Sequence, residues 1–378
     1  MNKIKICHFA NIITGKSDGV YTHLKMIFNY VDSVKFQQYL VFQGNPDIES
    51  EVTRYGIKVY IIKSLNKKFS LKWFKEFYSF IKSENIDIIH THFLKSYSIA
   101  GLTNIFLRKK MIFNYHGLFI ENFYNTRFDK FIYRKIHRLI NYLKVVDVAL
   151  VPSATSKRIL LNETKHFNSI EVYFNGYDNI VKGQTEPEIV NFFLHLKKTF
   201  FVIGIMARID IQKRIDIALE IAKRIIKING NIYFVILGDG ALEKEMAKKI
   251  ETMKLSKNVR MFGYVPNAKL YIKYFDLLLF TSDWEGFPLS IWEAMSEKIP
   301  VISTDVGGIK EILESEKCGI IYPRGDIDGG VKAILELLSD QKMRKSMGQN
   351  GFNAIKTRYN SKAFADFFNN LYSSLSSQ

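Results

Sequence analysis

The apolar residues of this 378-residue chain fall into short runs that alternate with longer segments of helical spacing. Runs such as Ile4–Phe9 and Leu277–Phe280 have the length and composition of buried strands. Segments such as Leu71–Ser83 and Leu289–Ser296 carry apolar residues three and four positions apart, which is typical of helices that bury one face. Regular alternation of the two kinds of element predicts parallel α/β sheets.

The alternation is interrupted near residues 179–198 and restarts at Thr199. Polar and turn-forming residues fill Val181–Glu188, where no periodicity is seen. The interruption predicts two doubly wound domains, over residues 1–180 and 181–361, and a last helix near residues 362–378 that can pack back on the first domain. Ligands of doubly wound sheets bind beyond the carboxyl ends of the strands.

Composition excludes several classes of protein. No apolar run approaches the roughly 20 residues that span a bilayer. Cys7 and Cys318 are far apart and belong to no Cys-x-x-Cys or Cys/His cluster, so neither a disulfide framework nor a zinc site is predicted. Such cysteine usage suits a reducing, cytoplasmic location.

The net charge of +17 is unevenly distributed, because residues 1–180 contain 26 Lys and Arg but 14 Asp and Glu. A basic first half indicates an anionic partner, although a lysine-rich solvated surface explains it as well. Residues 67–82 and 128–140 combine helical apolar spacing with Lys and Arg on the other face. We therefore hypothesise that one of these helices contacts an anionic membrane peripherally, at the inner face of the cell membrane.

Two carboxylates, Glu285 and Glu293, are eight residues apart across a Gly-Phe-Pro turn. The turn follows a predicted strand that ends at Phe280, and Pro288 suits the first turn of a helix because it has no N–H to leave unpaired. The free backbone N–H groups of a helix N-terminus attract anions. Acids beside such a site favour a nucleotide-sugar as the ligand. The backbone amides would bind its phosphates, and the carboxylates would accept hydrogen bonds from the hydroxyl groups of its sugar rings.

Further candidates follow other predicted strands. Arg208 ends one strand and Lys213 comes five residues later, a pair of cations suited to clamping a diphosphate. Gly238 and Gly240 end the next strand, where glycine permits either close approach of a ligand or simply a tight turn. With Asp305–Gly308 after a later strand, these residues are expected to meet along one rim of a sheet.

In this order, the motifs resemble those of the retaining glycosyltransferases of family 4. The pair of glutamates with seven residues between them, and Gly-Phe-Pro after the first, is the most specific part of the resemblance. Weaker matches in the first half are Gly15 with Gly19, Asp87–His92, His116 with its following glycine, and Asn175–Asp178. The resemblance implies the GT-B fold: two Rossmann-like doubly wound α/β domains that face a central cleft, the first binding the acceptor and the second the nucleotide-sugar donor.

The resemblance also implies roles for the acidic motif. Glu293 is expected to bind the ribose hydroxyls of the nucleotide. Glu285 is expected to contact hydroxyls of the transferred sugar and so to count among the catalytic residues. Gly286, Phe287 and Pro288 would supply backbone donors beside it.

The remaining roles concern the phosphates and the reacting sugar. Arg208 and Lys213 are expected to hold the diphosphate and to stabilise the leaving negative charge, with the two glycines at Gly238 and Gly240 in the same donor site. Gly19 would approach the phosphates from the first domain. The family works without a bound metal ion, and no cofactor is predicted.

Three histidines, His90, His92 and His116, lie at the ends of predicted strands of the first half. The resemblance places His116 near the reacting sugar, although a hydrogen-bonded structural histidine fits the same position. His90 and His92 end a predicted strand and could be metal ligands, but no third histidine or carboxylate at a suitable spacing accompanies them. We favour an acceptor-side or structural role for this pair.

The expected activity is that of a retaining, metal-independent hexosyltransferase. It would move a sugar from a UDP- or GDP-linked donor to a saccharide or lipid-linked saccharide acceptor, in exopolysaccharide, capsule or lipopolysaccharide biosynthesis. One alternative is a nucleotide-sugar epimerase or hydrolase on the same fold. The other is a non-enzymatic basic protein that binds membrane or nucleic acid, although no nucleic-acid partner is expected because zinc-finger and RNP signatures are lacking.

Overall fold

The computed structural model describes residues 3–13, 15, 19–66, 70–116, 126–164, 167–178, 183–285 and 288–377. The chain forms two compact units. The first comprises Met1–Gly176 together with Asn360–Gln378, and the second comprises Tyr177–Tyr359. The chain thus returns to the first unit with its last segment.

The first unit contains a seven-stranded parallel sheet in the order β3-β2-β1-β4-β5-β6-β7. The strand order reverses between β1 and β4, which makes the carboxyl ends of these two strands the switch point of the sheet. The strands are β1 Ile4–Phe9, β2 Phe36–Phe42, β3 Lys58–Ile61, β4 Ile88–Thr91, β5 Lys110–Asn114, β6 Val148–Val151 and β7 Ile170–Val172.

Helices cover both faces of this sheet, so that its central strands are buried along nearly their whole length, as parallel strands require. On one face, Trp73 and Phe77 pack into the core, where the ring of Phe77 stacks on Phe9 at 4.4 Å between centroids. The helices before the second unit are α1 Gly19–Tyr30, α2 Pro46–Arg54, α3 Leu71–Ser83, α4 Leu94–Leu107, α5 Arg127–Tyr142 and α6 Ala154–Thr164.

The second unit contains a six-stranded parallel sheet in the order β10-β9-β8-β11-β12-β13. Its switch point lies between β8 and β11. The strands are β8 Phe201–Met206, β9 Ile232–Leu237, β10 Val259–Met261, β11 Leu277–Phe280, β12 Val301–Thr304 and β13 Gly319–Tyr322.

The helices of the second unit bury apolar faces against this sheet, in a core that includes Leu219, Ile225 and Ile334. A 3₁₀ segment, Ala268–Tyr274, precedes β11. The helices are α7 Pro187–Leu196, α8 Ile215–Ile228, α9 Glu243–Thr252, α10 Leu289–Ser296, α11 Ile309–Ser315, α12 Ile327–Ser339 and α13 Gln341–Thr357.

The last helix, α14 Ser361–Ser376, belongs to the first unit. Asn360 caps it, since its side-chain oxygen accepts a hydrogen bond from the backbone N–H of Ala363 at 2.8 Å. Phe368 and Tyr372 bury their rings in the core beside β1 and β4. In the described part of the chain, no helix has both the length and the apolar character needed to cross a bilayer.

The strands and most helices confirm the prediction from the sequence, but α2, α6, α7 and α13 were not predicted. Helix α7 lies within the interruption near residues 179–198, and only its first two residues belong to the aperiodic stretch Val181–Glu188. Pro187 stands at its first position, and Ile189, Phe193 and Leu196 are its buried residues. Three buried positions in ten residues give only a short helical pattern, which is difficult to recognise directly after the polar stretch before Pro187.

Candidate active site

The site-bearing residues of the second unit follow its two switch-point strands, β8 and β11. Strand β11 is buried throughout, and the chain leaves it through Thr281, Ser282 and Asp283 before reaching Glu285. Eight residues separate the end of the strand from the start of helix α10. This is the strand, loop and helix that the sequence predicted, and it places Glu285 in the loop and Glu293 in the second turn of the helix.

Lys213 and Glu285 form a buried ion pair, with 2.6 Å between Lys213 Nζ and Glu285 Oε1. The side chains are 13% and 5% exposed, respectively. Ser282 Oγ donates a hydrogen bond to the same carboxylate oxygen at 2.6 Å, and Gln212 Nε2 lies 3.4 Å from the other oxygen. The carboxylate is therefore held in one orientation by a cation and by neutral donors.

Backbone contacts fix the position of Lys213 itself. Asp210 Oδ1 accepts hydrogen bonds from the backbone N–H groups of Gln212 and Lys213, at 3.1 and 3.2 Å. Thr281 Oγ1 donates to the carbonyl oxygen of Lys213 at 2.8 Å. The loop after β8 is thus tied to the end of β11, which orients the ammonium group toward Glu285.

Arg214 holds the same two loops together from the other side. It has a left-handed backbone conformation, with φ of 49°, immediately before α8. Its guanidinium pairs with Asp216 at 2.9 Å and with Asp283 at 3.0 Å. Because both carboxylates occupy it, Arg214 acts as a positioning residue for the loop that carries Glu285.

Arg208 lies on the same rim but is held much less tightly. Its side chain is 73% exposed, and Nη2 lies 3.1 Å from Asp210 Oδ2. Asp210 also accepts a hydrogen bond from the backbone N–H of Lys213. One carboxylate therefore contacts both of the residues that were predicted to bind the diphosphate. An exposed guanidinium with one partner retains donors for an anionic ligand.

Gly238 and Gly240 are required by the backbone. Both have positive φ, 140° and 158°. A Cβ on Gly238 would lie 2.0 Å from the carbonyl oxygen of Ala207, and one on Gly240 would lie 2.4 Å from that of Ile209. The glycines therefore let the loop after β9 lie against the loop after β8, which carries Arg208.

Glu293 lies on α10 and is half-buried. Burial raises the pKa of its carboxyl group to about 7, and Lys269 opposes the shift only in part. Pro288 is the N-cap residue of α10, with φ of −72°. Gly286 and Phe287, which were predicted to supply backbone donors, lie outside the described residues.

The predicted site residues of the first unit follow β1 and β5. Gly19 is the first residue of α1 and is exposed, and no atom of the described residues lies within 4 Å of the place where its Cβ would stand. His116 comes two residues after β5 and is half-buried, with Nε2 3.4 Å from His92 Nδ1. Burial and the neighbouring His23 hold the pKa of His116 well below its usual value.

Analysis of the sequence did not identify Ser282, Gln212 and Asp210 as partners of the ion pair. The signal for Ser282 was its position three residues before Glu285, in the polar exit of β11. For Asp210, the signal was an acidic residue between two cations. Neither pattern is specific without the fold.

Two family models match the chain over nearly its whole length. The model described as Glycosyltransferase Family 4 matches residues 17–179, and the model described as Glycosyl transferases group 1 matches residues 188–354. The ion pair and the glutamate on α10 lie within the second match. The chain is a family 4 glycosyltransferase.

Relatives of this glycosyltransferase include enzymes of bacterial surface polysaccharides. It is 27% identical to the Escherichia coli UDP-Gal:alpha-D-GlcNAc-diphosphoundecaprenol alpha-1,3-galactosyltransferase, over 98% of this chain and 97% of that protein. It is 25% identical to the Staphylococcus aureus capsular polysaccharide biosynthesis glycosyltransferase CapH, over 70% of this chain and 72% of that protein.

Solved structures show the same fold. The Anabaena protein Alr3699/HepE in complex with UDP matches with a TM-score of 0.79 and 16% identity, over 99% of this chain and 100% of that one. The predicted GT-B fold is confirmed. The glycosyltransferase transfers a sugar from a nucleotide-sugar donor to a saccharide acceptor, which confirms this part of the activity expected from the sequence.

Proposed function

We propose that this glycosyltransferase uses a UDP-linked hexose and adds it, with retention of anomeric configuration, to a lipid-linked saccharide. The buried pair of Lys213 and Glu285 at the switch point of the second unit carries the proposal. UDP is favoured because the E. coli relative is named for UDP-Gal and the Anabaena protein was solved with UDP. The lipid-linked acceptor is favoured because that same relative is named for a diphosphoundecaprenol substrate.

In the proposed site, Lys213 and Arg208 bind the diphosphate and stabilise the charge that develops on it. This is electrostatic stabilisation by groups held in place before the reaction begins. Glu285 accepts hydrogen bonds from hydroxyls of the transferred hexose, and Glu293 accepts them from the ribose. Because Lys213 is already paired with Glu285, both side chains are oriented before the donor binds. The phosphates would meet the cation, and the sugar hydroxyls would meet the carboxylate.

Retention follows from a reaction on one face of the sugar. The bond between C1 of the hexose and the diphosphate oxygen breaks, and the acceptor oxygen forms its bond to C1 on the same face. The proton of the acceptor hydroxyl passes to the leaving phosphate oxygen. His116 and Gly19 of the first unit are proposed to act near the reacting sugar and the phosphates.

The test is analysis of the product. Purified enzyme is incubated with UDP-galactose, UDP-glucose or UDP-N-acetylglucosamine and a polyprenyl-diphosphate-linked sugar, and NMR reports the anomeric configuration of the new linkage. An α-linked product from an α-linked donor is expected. Free sugar or a new UDP-sugar formed equally without acceptor would instead identify a hydrolase or epimerase.

A matched pair of variants separates binding from transfer. His116→Gln is expected to lose transfer while its affinity for UDP is unchanged, because the side chains proposed to bind the diphosphate and the ribose, those of Arg208, Lys213 and Glu293, lie in the second unit. His195→Gln, an exposed histidine on α7, serves as the control and is expected to keep both properties. Loss of UDP affinity in His116→Gln would contradict this division of roles.

We also propose that α3, α4 and α5 rest on an anionic membrane surface, where a lipid-linked acceptor would be found. Helix α4 contacts both of its neighbours. Phe74, Tyr78, Leu102, Ile105 and Phe106 line a groove of ≈ 460 Å³ between α3 and α4. Apolar side chains exposed on these helices are Leu71, Phe106, Phe128, Phe131 and Tyr142, from 58% to 86%.

Basic residues accompany these apolar side chains, as expected for helices that lie in the membrane interface. They are Lys72 and Lys75 on α3, and Lys130, Arg134, Lys135 and Arg138 on α5. Flotation with phosphatidylglycerol vesicles at low salt is expected to recover the wild type but not Phe106→Asp/Phe131→Asp. Ile228→Asp, at a similarly exposed apolar residue of the second unit, should float normally. Equal flotation of all three proteins, or of none, would refute this membrane face.

A further inference from the structure

Five of the eight histidines of the chain gather at the switch point of the first sheet. His8 on β1 and His90 on β4 are direct neighbours in the strand register. His92 follows β4 immediately, and its ring lies 4.2 Å from that of His90 and 5.4 Å from that of His8, between centroids. All three side chains are at most 1% exposed. The transfer reaction gives no role to His8, His90 or His92.

The spacing of their ring nitrogens suits a single ion. One nitrogen from each of His8, His90 and His92 lies within 4.8 Å of the other two. His8 Nδ1 and His92 Nε2 are 3.2 Å apart. A tetrahedral zinc ion with Zn–N bonds of roughly 2.0–2.1 Å needs ligand nitrogens about 3.3 Å apart.

The second nitrogen of each ring has a hydrogen-bonding partner of its own. His8 Nε2 lies 3.0 Å from Gln38 Oε1, His90 Nδ1 lies 2.9 Å from the hydroxyl of Tyr372, and His92 Nδ1 lies 3.4 Å from His116 Nε2. Histidines that bind metals in proteins usually have this arrangement, in which an outer partner fixes the ring and the tautomer.

His90 supplies the observation that points most directly to a ligand. Its Nε2 atom is buried and has no hydrogen-bond partner among the described residues. A buried polar atom left unpaired destabilises the fold, and an ion bound to it would offset that cost.

The ligand type also indicates the kind of ion. All three residues offer an imidazole nitrogen, which suits zinc and its neighbours in the transition series better than Mg²⁺ or Ca²⁺.

A second group, His23, His92 and His116, also has nitrogens close enough for one ion. Its geometry is less suited, because both nitrogens of His23 are taken: Nδ1 lies 2.9 Å from Asn175 Oδ1 and Nε2 lies 2.8 Å from Asn114 Nδ2. In the first group, by contrast, His8 Nδ1 and His92 Nε2 are partners only of each other among the described residues, and His90 Nε2 has none there, so that one nitrogen of each ring can bind the ion.

We propose that His8, His90 and His92 form a binding site for a divalent transition-metal ion, Zn²⁺ in particular, with a fourth position for water. The ion would join β1 to β4 and, through the hydroxyl of Tyr372, hold α14 against the sheet. It lies in the first unit and is a structural site, separate from the residues proposed to bind the sugar donor.

The test uses full-length protein without a polyhistidine tag. After treatment with chelator, the protein is titrated with Co²⁺, whose four-coordinate complexes with imidazole give intense visible absorption, whereas six-coordinate surface complexes absorb weakly. One equivalent of Co²⁺ with the intense spectrum, displaced by Zn²⁺, is expected, together with a higher melting temperature in Zn²⁺. Absence of the intense spectrum in the wild type overturns the proposal.

Variants locate the ion. His90→Gln is expected to abolish the spectrum, and Gln38→Ala to weaken binding roughly 10- to 100-fold through loss of an outer partner. His137→Gln, at a buried histidine that is hydrogen-bonded to Ser98 instead, should bind like the wild type. Unchanged Co²⁺ binding in His90→Gln overturns the site. Should that variant fail to fold, the wild-type spectrum and Zn²⁺-dependent melting still decide the question.

Discussion

Lys213 Nζ lies 2.6 Å from Glu285 Oε1, although the two residues are 72 positions apart in the sequence. The contact exists because β8 and β11 are neighbours at the switch point of a parallel sheet, so that the loops after both strands open on the same edge. The fold thus brings a cation and a carboxylate together where a nucleotide-sugar would present a diphosphate next to hydroxyl groups.

The first prediction concerns the stability of this pair. Lys213→Met leaves the carboxylate of Glu285 buried without its cation, so we expect a loss of about 3 kcal/mol in unfolding free energy. The double variant Lys213→Met/Glu285→Leu should recover part of that loss. Urea unfolding measures the change in unfolding free energy of both variants. In addition, the kcat of Lys213→Met should fall roughly 10²- to 10³-fold.

The control for this prediction is the exposed pair of Lys310 and Asp305, with 3.4 Å between nitrogen and oxygen. Lys310→Met should change the unfolding free energy by less than about 1 kcal/mol, because water screens an exposed pair. If Lys213→Met is equally harmless, the pair does not have the energetic role assigned to it.

The second prediction concerns pH. The folded protein raises the pKa of Glu293 to about 7 from an ordinary 4.5, so between these values it binds a proton that the unfolded chain releases. The contribution of this group to stability therefore falls as the pH rises from about 4.5 through 7. Glu293→Gln should remove that component from the pH dependence of the melting temperature.

Donor binding should have the opposite dependence. If the carboxylate accepts hydrogen bonds from the ribose, the affinity for UDP rises as the pH is raised through about 7 and then levels off. Glu293→Gln should bind weakly at every pH. Glu297→Gln, at the end of the same helix, is the control and should retain the wild-type profile. Loss of this pH dependence in Glu297→Gln as well would show that a group other than Glu293 controls the affinity for UDP.

The third prediction distinguishes glycines by their backbone conformation. Gly238→Ala places a Cβ against the carbonyl oxygen of Ala207 at a φ of 140°, so we expect destabilisation of more than about 2 kcal/mol. Gly230→Ala meets no atom within 4 Å and should be neutral or slightly stabilising. Comparable unfolding curves for both variants would show that the close approach does not exist.

The fourth prediction separates function from stability at Arg208. Because its guanidinium is 73% exposed, Arg208→Ala should change the unfolding free energy by no more than about 0.5 kcal/mol. Loss of a charge-assisted hydrogen bond to the diphosphate should lower kcat/KM by roughly 10- to 100-fold. Arg224→Ala, on α8, should leave kcat/KM unchanged; an equal effect at both positions would indicate a general loss of positive charge.

The strand, loop and helix that carry Glu285 and Glu293 were predicted correctly because their structure is local. Glu285, Pro288 and Glu293 lie within nine residues, and the strand before them is a continuous apolar run. The alternation of strands and helices likewise defined the two sheets, since parallel strands covered on both faces leave an unmistakable apolar pattern.

Contacts that depend on strand register were beyond prediction. His8 and His90 are 82 positions apart and meet only because β1 pairs with β4 in a particular register. The sequence therefore showed a pair of histidines without a third, and the preference for an acceptor-side or structural role rested on that apparent gap. The pairing of Arg214 with Asp283, 69 positions away, depends on the fold in the same way.

The most direct test of the donor site is a thermal-shift panel of UDP, GDP, ADP and CMP with the wild type and with Glu293→Ala. Binding to the folded protein raises its melting temperature by mass action. The account predicts a clear rise with UDP for the wild type, little with the other nucleotides, and none with UDP for the variant. No rise with UDP in the wild type, or the same rise in both proteins, would contradict it.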